Sequence, residues 1–406
     1  MELWYPPSAW ERIMKIKDVF QRAEHDSITW NEAAEILGVD PRTVRRWKHI
    51  VDEEDSFRGL LDKRTRKPSA KRAPHVARTR VLRLYQELYR QWNVKHFHEQ
   101  LKKYSIPYSY TWTKNLLQEA GLVDRTKKRD KHRKRRPRKP LIGMMAHIDG
   151  SKHAWIPGLK GHQDLMAVMD DADNECYYAK LVQEENTRES MLALEHVVKT
   201  KGLYCSVYSD RASHFFHTPK AGGKVDLSNL TQVGRAMYEL GIEMIPAYSP
   251  QARGRSERLF GTWQGRLPNE LKLHGIKTIP DANQYIRESF LPWYNKNLSV
   301  LPEQKGSAFT PCHRKDLDYV FCVKEQRIVN CDNTVQWKKL LLQIEPSELR
   351  ISFAKCKVIV CEHFNNTLSV LYGHHLIGRY DLEGQPLNLK KRTIHLLPKA
   401  DILISY

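Results

Sequence analysis

The segment VYSDRASHFF, residues 207–216, contains the end of an apolar run that starts at Leu203 and stops on Asp210. The run LYCSVYSD, residues 203–210, predicts a buried strand. A strand that stops on aspartate usually enters an ordinary turn, because aspartate favours turn conformations. A functional role for Asp210 needs other carboxylates at the same edge of the sheet, so the surrounding sequence decides the question.

The sequence around this strand predicts a mixed sheet flanked by helices, an α/β core over residues 141–300. Three apolar runs precede the strand, and Asp and Asn mark the turn between the last two. Helical patterns then separate the remaining strands. The predicted strands are 144–156, 162–173, 175–183, 203–210 and 242–249, and the predicted helices are 187–202, 230–241 and 252–267.

Three carboxylates fall at special points of this order. Asp149 lies within the first strand, Asp210 ends the fourth, and Glu257 lies in the last helix, with 60 and 46 residues between them. On that helix Glu257 shares a face with residues 261 and 264, opposite the apolar side chains that pack. Gly261 has no side chain, so a bulky ligand can approach the helix closely there.

Other polar residues compete for the same roles. A hairpin turn holds three further acids, and turn chemistry already accounts for aspartate there. Three histidines could reach the site, but such histidines are more often satisfied polar residues. The rival acids are Asp170, Asp171 and Asp173, and the histidines are His147, His214 and His217.

Residues 29–48, TWNEAAEILGVDPRTVRRWK, predict a helix, a tight turn and a second, basic helix. Gly38 ends the first helix and Asp40 can cap the second. The second helix turns four polar residues outward, as the recognition helix of a helix-turn-helix DNA reader does. A generic helical hairpin is the alternative. The candidate DNA-binding residues of this first domain, residues 1–60, are Arg42, Thr43, Arg45 and Arg46.

A basic linker over residues 61–74 leads to a second helical block over residues 75–124. Ser109 can cap its last helix and Gly121 ends that helix, so the pattern predicts a second helix-turn-helix domain. A helical spacer is the alternative. The candidate DNA-binding residues of this block, expected to face outward, are Thr111, Thr113 and Lys114.

Residues 125–139, RTKKRDKHRKRRPRK, hold 11 Lys or Arg in 15 positions. Such a run cannot pack a core, and it predicts a basic arm, residues 125–140, that orders on a polyanion. A nuclear localisation signal is the alternative. Residues 1–140 carry +16 of the chain's net charge of +20, which favours an acidic polymer as partner. The candidate DNA contacts of the arm are Lys134, Arg135 and Arg136.

The remaining composition narrows the cellular setting. The seven cysteines are scattered without a CxxC pair, which argues against a disulfide framework and a zinc site. No apolar run is long enough to cross a membrane, and the first ten residues lack the form of a signal peptide. We therefore expect a cytoplasmic protein without a membrane partner.

The C-terminal part predicts a helix followed by a small β domain. Residues 281–297 have the pattern of a helix that closes the core, and residues 301–314 have the composition of a linker. Residues 315–406 then contain short β-rich segments, which predict a small barrel of about five strands.

The motifs HIDGS, YSDRASHF and GRSERLFGTWQGRL, in this order, resemble the catalytic core of DDE transposases and retroviral-type integrases, which has the RNase H-like fold. The likeness is to bacterial insertion-sequence transposases of the ISNCY type, and it covers nearly the whole chain. By this resemblance Asp149, Asp210 and Glu257 are the catalytic acids. At position 264 many family members carry Lys or Arg instead of glutamine. The residues that could hold the scissile DNA are therefore Arg258, Gln264 and Arg266.

The chemistry of the three acids is consistent with this resemblance. Phosphodiester cleavage needs an activated attacking oxygen and a stabilised leaving oxygen, and two Mg²⁺ ions about 3.5–4 Å apart provide both. Mg²⁺ prefers carboxylate oxygens, so Asp149, Asp210 and Glu257 are its predicted ligands. We expect Mn²⁺ to be able to substitute for Mg²⁺.

The resemblance implies a transposase that binds the terminal inverted repeats of its mobile element, cleaves the strands at the ends and joins the 3′ ends to target DNA. Its partners would be double-stranded DNA and at least one further copy of the chain, associated with a bacterial nucleoid. A DNA-binding regulator with an inactive integrase-like core is one alternative. An RNase H-type nuclease is another, although two helix-turn-helix blocks would be superfluous for it.

Overall fold

A computed structural model describes residues 7–61, 72–125, 137–220, 223–248 and 254–387. Contacts between Cα atoms divide the chain into two compact units, Met1–Leu84 and Tyr85–Tyr406. Within the described ranges, no helix is long and apolar enough to cross a membrane.

The first unit is helical and follows the start and stop signals predicted from the sequence. Thr29 and Glu32 cap each other at the start of the second helix, and Gly38 ends that helix with a φ of 65°. Asp40 Oδ1 accepts from Arg42 N at 2.8 Å and so caps the third helix. These helices are α1 (Pro7–Glu24), α2 (Trp30–Leu37) and α3 (Pro41–Glu54).

The second unit begins with three helices that precede the sheet. They are α4 (His75–Glu87), which crosses the boundary between the units, α5 (Val94–Leu101) and α6 (Tyr110–Glu119). Ser109 Oγ caps α6 by accepting from Trp112 N at 3.2 Å, and Gly121 has a φ of 66° just after that helix. Residues 85–125 therefore form their helices as predicted, within the same compact unit as the sheet.

A five-stranded mixed sheet forms the centre of the second unit, which confirms the predicted α/β core. The strand order is β3-β2-β1-β4-β5, with β1, β2 and β3 antiparallel and with β1, β4 and β5 parallel. The elements are β1 (Ala146–His153), β2 (Gln163–Asp170), β3 (Cys176–Val182), α7 (Thr187–Thr200), β4 (Ser206–Ser209), α8 (Gln232–Glu239), β5 (Glu243–Pro246) and α9 (Gly254–Gln264).

The two faces of this sheet pack against different helices. One core places Ile148 and Val168 against α7 and α8. The other core places Leu165, Ala167 and Met169 against α9 and the helices that follow it. The sheet is therefore covered on both faces, so polar side chains near its edges have defined positions.

The helix predicted over residues 252–267 ends earlier than expected. α9 stops at Gln264, the backbone turns at Arg266, and Pro268 lies in the first turn of the next helix, where proline is tolerated. The helices that follow are α10 (Leu267–Leu273), α11 (Ile279–Tyr285), a π-helical turn (Ile286–Phe290) and α12 (Leu291–Leu298). The last three together account for the helix predicted over residues 281–297.

The C-terminal region does not confirm the predicted barrel. Its described residues form an open four-stranded antiparallel sheet, ordered β11-β10-β9-β6, and a separate hairpin of β7 with β8. Trp337, Phe353 and Tyr380 are buried in a core of their own there. The elements are α13 (Leu317–Val320), β6 (Cys322–Ile328), β7 (Thr334–Trp337), β8 (Leu340–Gln343), β9 (Lys357–His363), β10 (Thr367–Tyr372) and β11 (His375–Asp381).

Candidate active site

Asp149 lies in the middle of β1 and is only 7% exposed. Successive strand residues point to opposite faces of a sheet. The antiparallel partner of Asp149 is Ala167, which belongs to the core beneath α9, whereas its neighbour Ile148 belongs to the core beneath α7 and α8. The side chain of Asp149 is therefore on the α9 side of the sheet.

Asp210 directly follows β4, the strand next to β1. The two strands are parallel, and His147 pairs with Tyr208. Continued two residues further, this register would set Asp149 level with Asp210, which lies one residue past the end of β4. Asp210 Oδ1 also accepts from Ala212 N at 3.0 Å, so the strand ends in an aspartate turn at the same point where the two acids become neighbours.

Glu257 is exposed on the first turn of α9. Two turns later on the same flank of this helix, Gln264 Nε2 donates to Ser151 Oγ at 3.0 Å. Ser151 is two residues from Asp149 along β1, so this flank of α9 is directed at the strand that carries Asp149. Glu257 is therefore on the side of α9 that is nearer to the first acid.

The start of α9 is fixed to the same strand through a polar bridge. Arg255 pairs with the carboxylate of Asp171, which also contacts His147 Nε2 at 2.6 Å. From Arg255 to the end of α9 the helix advances by nine residue steps, about 13 Å at 1.5 Å per step. The four residue steps from His147 to Ser151 cover about the same length in a strand. α9 thus runs alongside this part of β1, and Glu257 lies within the span.

The three acids do not form a metal cage in this structure. Among the residues it describes, no group of three or more His, Cys, Asp or Glu side chains is spaced to hold a metal ion. Asp149 lies on β1, Asp210 directly follows the neighbouring strand β4, and Glu257 lies on the flank of α9 that carries Gln264. The oxygens of the three side chains are not within common ligand distance.

A further carboxylate, which the sequence analysis did not single out, lies against Gly150, the residue after Asp149, on the face of β1 opposite to Asp149. Glu185 belongs to the loop before α7, and its Oε1 contacts His214 Nε2 at 3.1 Å. A Cβ added to Gly150 would collide with Glu185 Oε2, so the glycine of the HIDGS motif makes room for this carboxylate. No local pattern singles out Glu185, because its approach to Gly150 arises only from the folded sheet.

Two of the rival acids, Asp170 and Asp173, have the turn roles predicted for them. Asp170 accepts from Ala172 N at 2.8 Å and Asp173 accepts from Glu175 N at 2.7 Å, as aspartates do in turns. Burial raises the pKa of Asp170 to about 6. Asp170 is therefore a buried acid that holds the turn together.

The outer face of α3 has the predicted composition. Val44 is buried and Trp47 packs against the same core, so the intervening positions point away from it. Of the four predicted DNA-binding residues, Arg42, Arg45 and Arg46 are exposed and Thr43 is partly exposed.

The prediction for α6 is wrong at one position. Thr111 is exposed and Lys114 is partly exposed, but Thr113 is fully buried and its hydroxyl donates within the helix. Thr113 shares the inner stripe of α6 with Leu116 and Leu117, three and four residues later. It is therefore part of the packing of this block and does not face outward.

The basic candidates around α9 differ in their surroundings. Arg258 is exposed, whereas Arg266 is 6% exposed and donates to both carboxylate oxygens of Glu99 at 2.7 and 3.0 Å. The Arg266 guanidinium also lies 4.6 Å from the ring centre of Trp293. The structure thus contradicts the prediction that Arg266 holds DNA, because the helix ends before it and turns it inward. Lys134, Arg135 and Arg136 lie outside the described residues.

Similar proteins indicate what this arrangement belongs to. A family model described as a helix-turn-helix domain matches residues 15–69. The predicted transposase y4bF of Sinorhizobium fredii (strain NBRC 101917 / NGR234) is 28% identical over 344 residues, which are 84% of this chain and 74% of that protein. This chain resembles bacterial transposases. The transposase for insertion sequence IS1202 of Streptococcus pneumoniae is 25% identical over 283 residues, 65% of this chain and 58% of that protein.

Solved structures similar to this transposase-like chain include retroviral integrases. A chain of the simian T-cell lymphotropic virus intasome, solved with PP2A regulatory subunit B56 gamma, is 14% identical, with a TM-score of 0.33 over 68% of this chain and 93% of that chain. The HTLV-2 integrase catalytic core domain, solved with magnesium as a dimer, is 14% identical, with a TM-score of 0.29 over 41% of this chain and 94% of that chain.

Replacing Gly150 with Ala should displace the Glu185 carboxylate from its place beside β1. Overpacking in proteins costs about 1–3 kcal/mol, and we expect the lower end because the atom that must move ends a flexible side chain. Denaturant unfolding of the full chain measures the loss.

Two further variants test whether that loss comes from the contact. Gly150→Ala should cost less when Glu185 is already alanine, and an equal cost in both backgrounds would contradict the contact. Gly261→Ala is the control, because a Cβ there meets nothing within 4 Å and alanine favours a helix.

Proposed function

We propose that this chain is a transposase that binds the terminal inverted repeats of its mobile element, cleaves the strands at the ends and joins the 3′ ends to target DNA. The register of β1 and β4 supports the proposal, because the pair His147–Tyr208 lies two residues before Asp149 and Asp210 in a chain similar to a transposase over 84% of its length. The helix-turn-helix match at residues 15–69 supports binding of DNA.

Mg²⁺ is the proposed cofactor, with Mn²⁺ able to substitute. Asp149 and Asp210 would hold it from neighbouring strands, and Glu257 would complete the ligand set from α9. The donors fit the ion in type, because Mg²⁺ prefers carboxylate oxygens and keeps several waters. When bound, metal ions would activate the attacking oxygen and stabilise the leaving oxygen of the phosphodiester.

The residues of the chain itself would position the DNA. The exposed arginines of α3 would read base edges or their flanking phosphates in the major groove. The basic arm at 125–140 would neutralise phosphates without regard to sequence. Exposed Arg258 lies next to Glu257 on α9, where it could contact the phosphate at the cleavage point.

We propose that the domain functions follow the limits predicted from the sequence. A first DNA-binding domain would occupy residues 1–60, a second residues 75–124, the catalytic core residues 141–300 and a β domain residues 315–406. Two element ends must be cut and joined together, so a chain with one site per copy would act as a dimer or larger assembly on paired ends.

The helix-turn-helix match at residues 15–69 also fits a second candidate function, a DNA-binding regulator with an inactive core. A regulator would bind element ends without cutting them in Mg²⁺ or in Mn²⁺. The two functions are therefore distinguished by cleavage of a duplex that contains an end.

Removing any one of the three acids should abolish cleavage while sparing binding of the ends. Asp149→Asn, Asp210→Asn and Glu257→Gln each remove one ligand charge from a set that acts as a unit, so each should lose as much activity as the triple variant. Cleavage of an end-containing duplex in Mg²⁺ measures the loss. Glu243→Gln, an exposed acid on β5, is the control that should retain cleavage. Near-normal cleavage by the Asp210 variant would refute the assignment.

The arginines of α3 should determine sequence specificity, whereas the basic arm should contribute affinity for any DNA. Arg45→Ala should narrow the difference in affinity between element ends and random DNA, by roughly 1–3 kcal/mol if it makes a bidentate base contact. Replacing Lys134, Arg135 and Arg136 with alanine should weaken all DNA alike and flatten the salt dependence. Binding titrations at several salt concentrations measure both effects. If the arm variant loses only specific binding, this division of roles is wrong.

A further inference from the structure

Asp171 joins three separate segments of the second unit on one fully buried carboxylate. Its Oδ1 contacts His147 Nε2 of β1 at 2.6 Å and also pairs with Arg255 of α9. Its Oδ2 accepts from Lys139 N at 2.7 Å, at the end of the basic arm. A local turn requires none of these three contacts, so turn chemistry alone does not explain this aspartate.

The contacts of Asp171 compensate the burial of its carboxylate. A buried carboxylate is costly unless charge and hydrogen bonds compensate it. Burial by itself would raise the pKa of Asp171, but the contacts with His147, Lys139 and Arg255 together hold that pKa below its ordinary value. Arg255 is 15% exposed, so its pairing with Asp171 is largely shielded from solvent.

Three residues around Asp171 each lie two positions before one of the proposed acids. His147 is two residues before Asp149, and Arg255 is two residues before Glu257. The ring of Tyr208, two residues before Asp210, lies edge-on to the His147 ring with centres 5.3 Å apart. These contacts, which connect β1, β4 and α9, therefore come from residues two positions before each acid.

We propose that Asp171 is a positioning residue that aligns β1, β4 and α9 so that their three acids form one site. It would hold Glu257 through Arg255, and it would hold Asp149 and Asp210 through His147 and the Tyr208 ring. The inference rests on the proposed function, and it adds a residue that touches neither DNA nor metal. The contact with Lys139 seats the end of the arm at the same point.

The test compares Arg255→Met, Arg255→Lys and Asp171→Asn in the full chain. Arg255→Met should lower the single-turnover rate constant of cleavage roughly 10- to 100-fold, because small misplacements of catalytic groups have effects of this size. Its affinity for the element end should stay unchanged, since the contact orients catalytic groups and does not hold DNA. Arg255→Lys keeps the charge and should recover part of the rate. The double variant of Asp171 and Arg255 should cleave no more slowly than the slower single variant, because both substitutions remove the same Asp171–Arg255 contact.

Arg314→Met is the matched control, because Arg314 pairs with Asp316 at 2.7 Å, is 18% exposed and lies in the same unit. It should lose a similar amount of stability and keep the cleavage rate. Equal rates in the Arg255→Met and Arg314→Met variants would overturn the proposal. A loss of DNA affinity in Arg255→Met but not in Asp171→Asn would also overturn it, because Arg255 would then act on DNA.

Hydrogen exchange supplies a readout that does not depend on cleavage. The amides of the first turns of α9 should exchange faster in Arg255→Met and in Asp171→Asn than in the parent or the Arg314 control. Unchanged exchange in α9 would overturn the proposal. If the parent chain does not cleave DNA, the proposed function fails, while exchange in α9 still decides whether Asp171 positions this helix.

Discussion

The parallel pairing of β1 with β4 is the constraint on which the candidate site depends. Continued two residues past His147 and Tyr208, this pairing would set Asp149 and Asp210 at one level, although 60 residues lie between them in the sequence. A slip of one residue would turn Asp149 to the opposite face, into the apolar core beneath α7 and α8. The apolar residues on both faces of β1 and β2 therefore hold the register that places the two acids together.

The position of α9 depends on two kinds of interaction. Leu259 and Trp263 pack into the core on that face of the sheet, but apolar packing is non-directional and sets the position of a helix along a strand only weakly. The bond of Gln264 to Ser151 and the pairing of Arg255 with Asp171 are directional and lie at opposite ends of the helix. Burial thus holds α9 on the sheet, whereas the polar contacts determine which part of β1 faces Glu257.

Local signals in the sequence predicted much of this fold. Caps and glycines bounded the helices, and apolar runs marked the strands of the central sheet. The predictions for Thr113 and Arg266 are wrong because both depend on packing. Thr113 lies on the inner stripe of α6, and Arg266 pairs with Glu99, which is 167 residues away in the sequence. The predicted barrel is not confirmed because closure depends on long-range pairing that short β-rich segments do not specify. The sequence predicts only a turn role for Asp171, because its partners lie in three different segments that no local pattern connects.

The most direct test of the account is the location of Mn²⁺ in crystals of the chain bound to a DNA element end, found by anomalous diffraction. The account predicts anomalous density between the carboxylates of Asp149 and Asp210, with the Glu257 carboxylate drawn toward it from α9. The strands would keep the register seen here, and only the acid side chains and the start of α9 would adjust. Density at the Asp170–Asp173 turn instead, or none beside Asp149 and Asp210, would contradict the account.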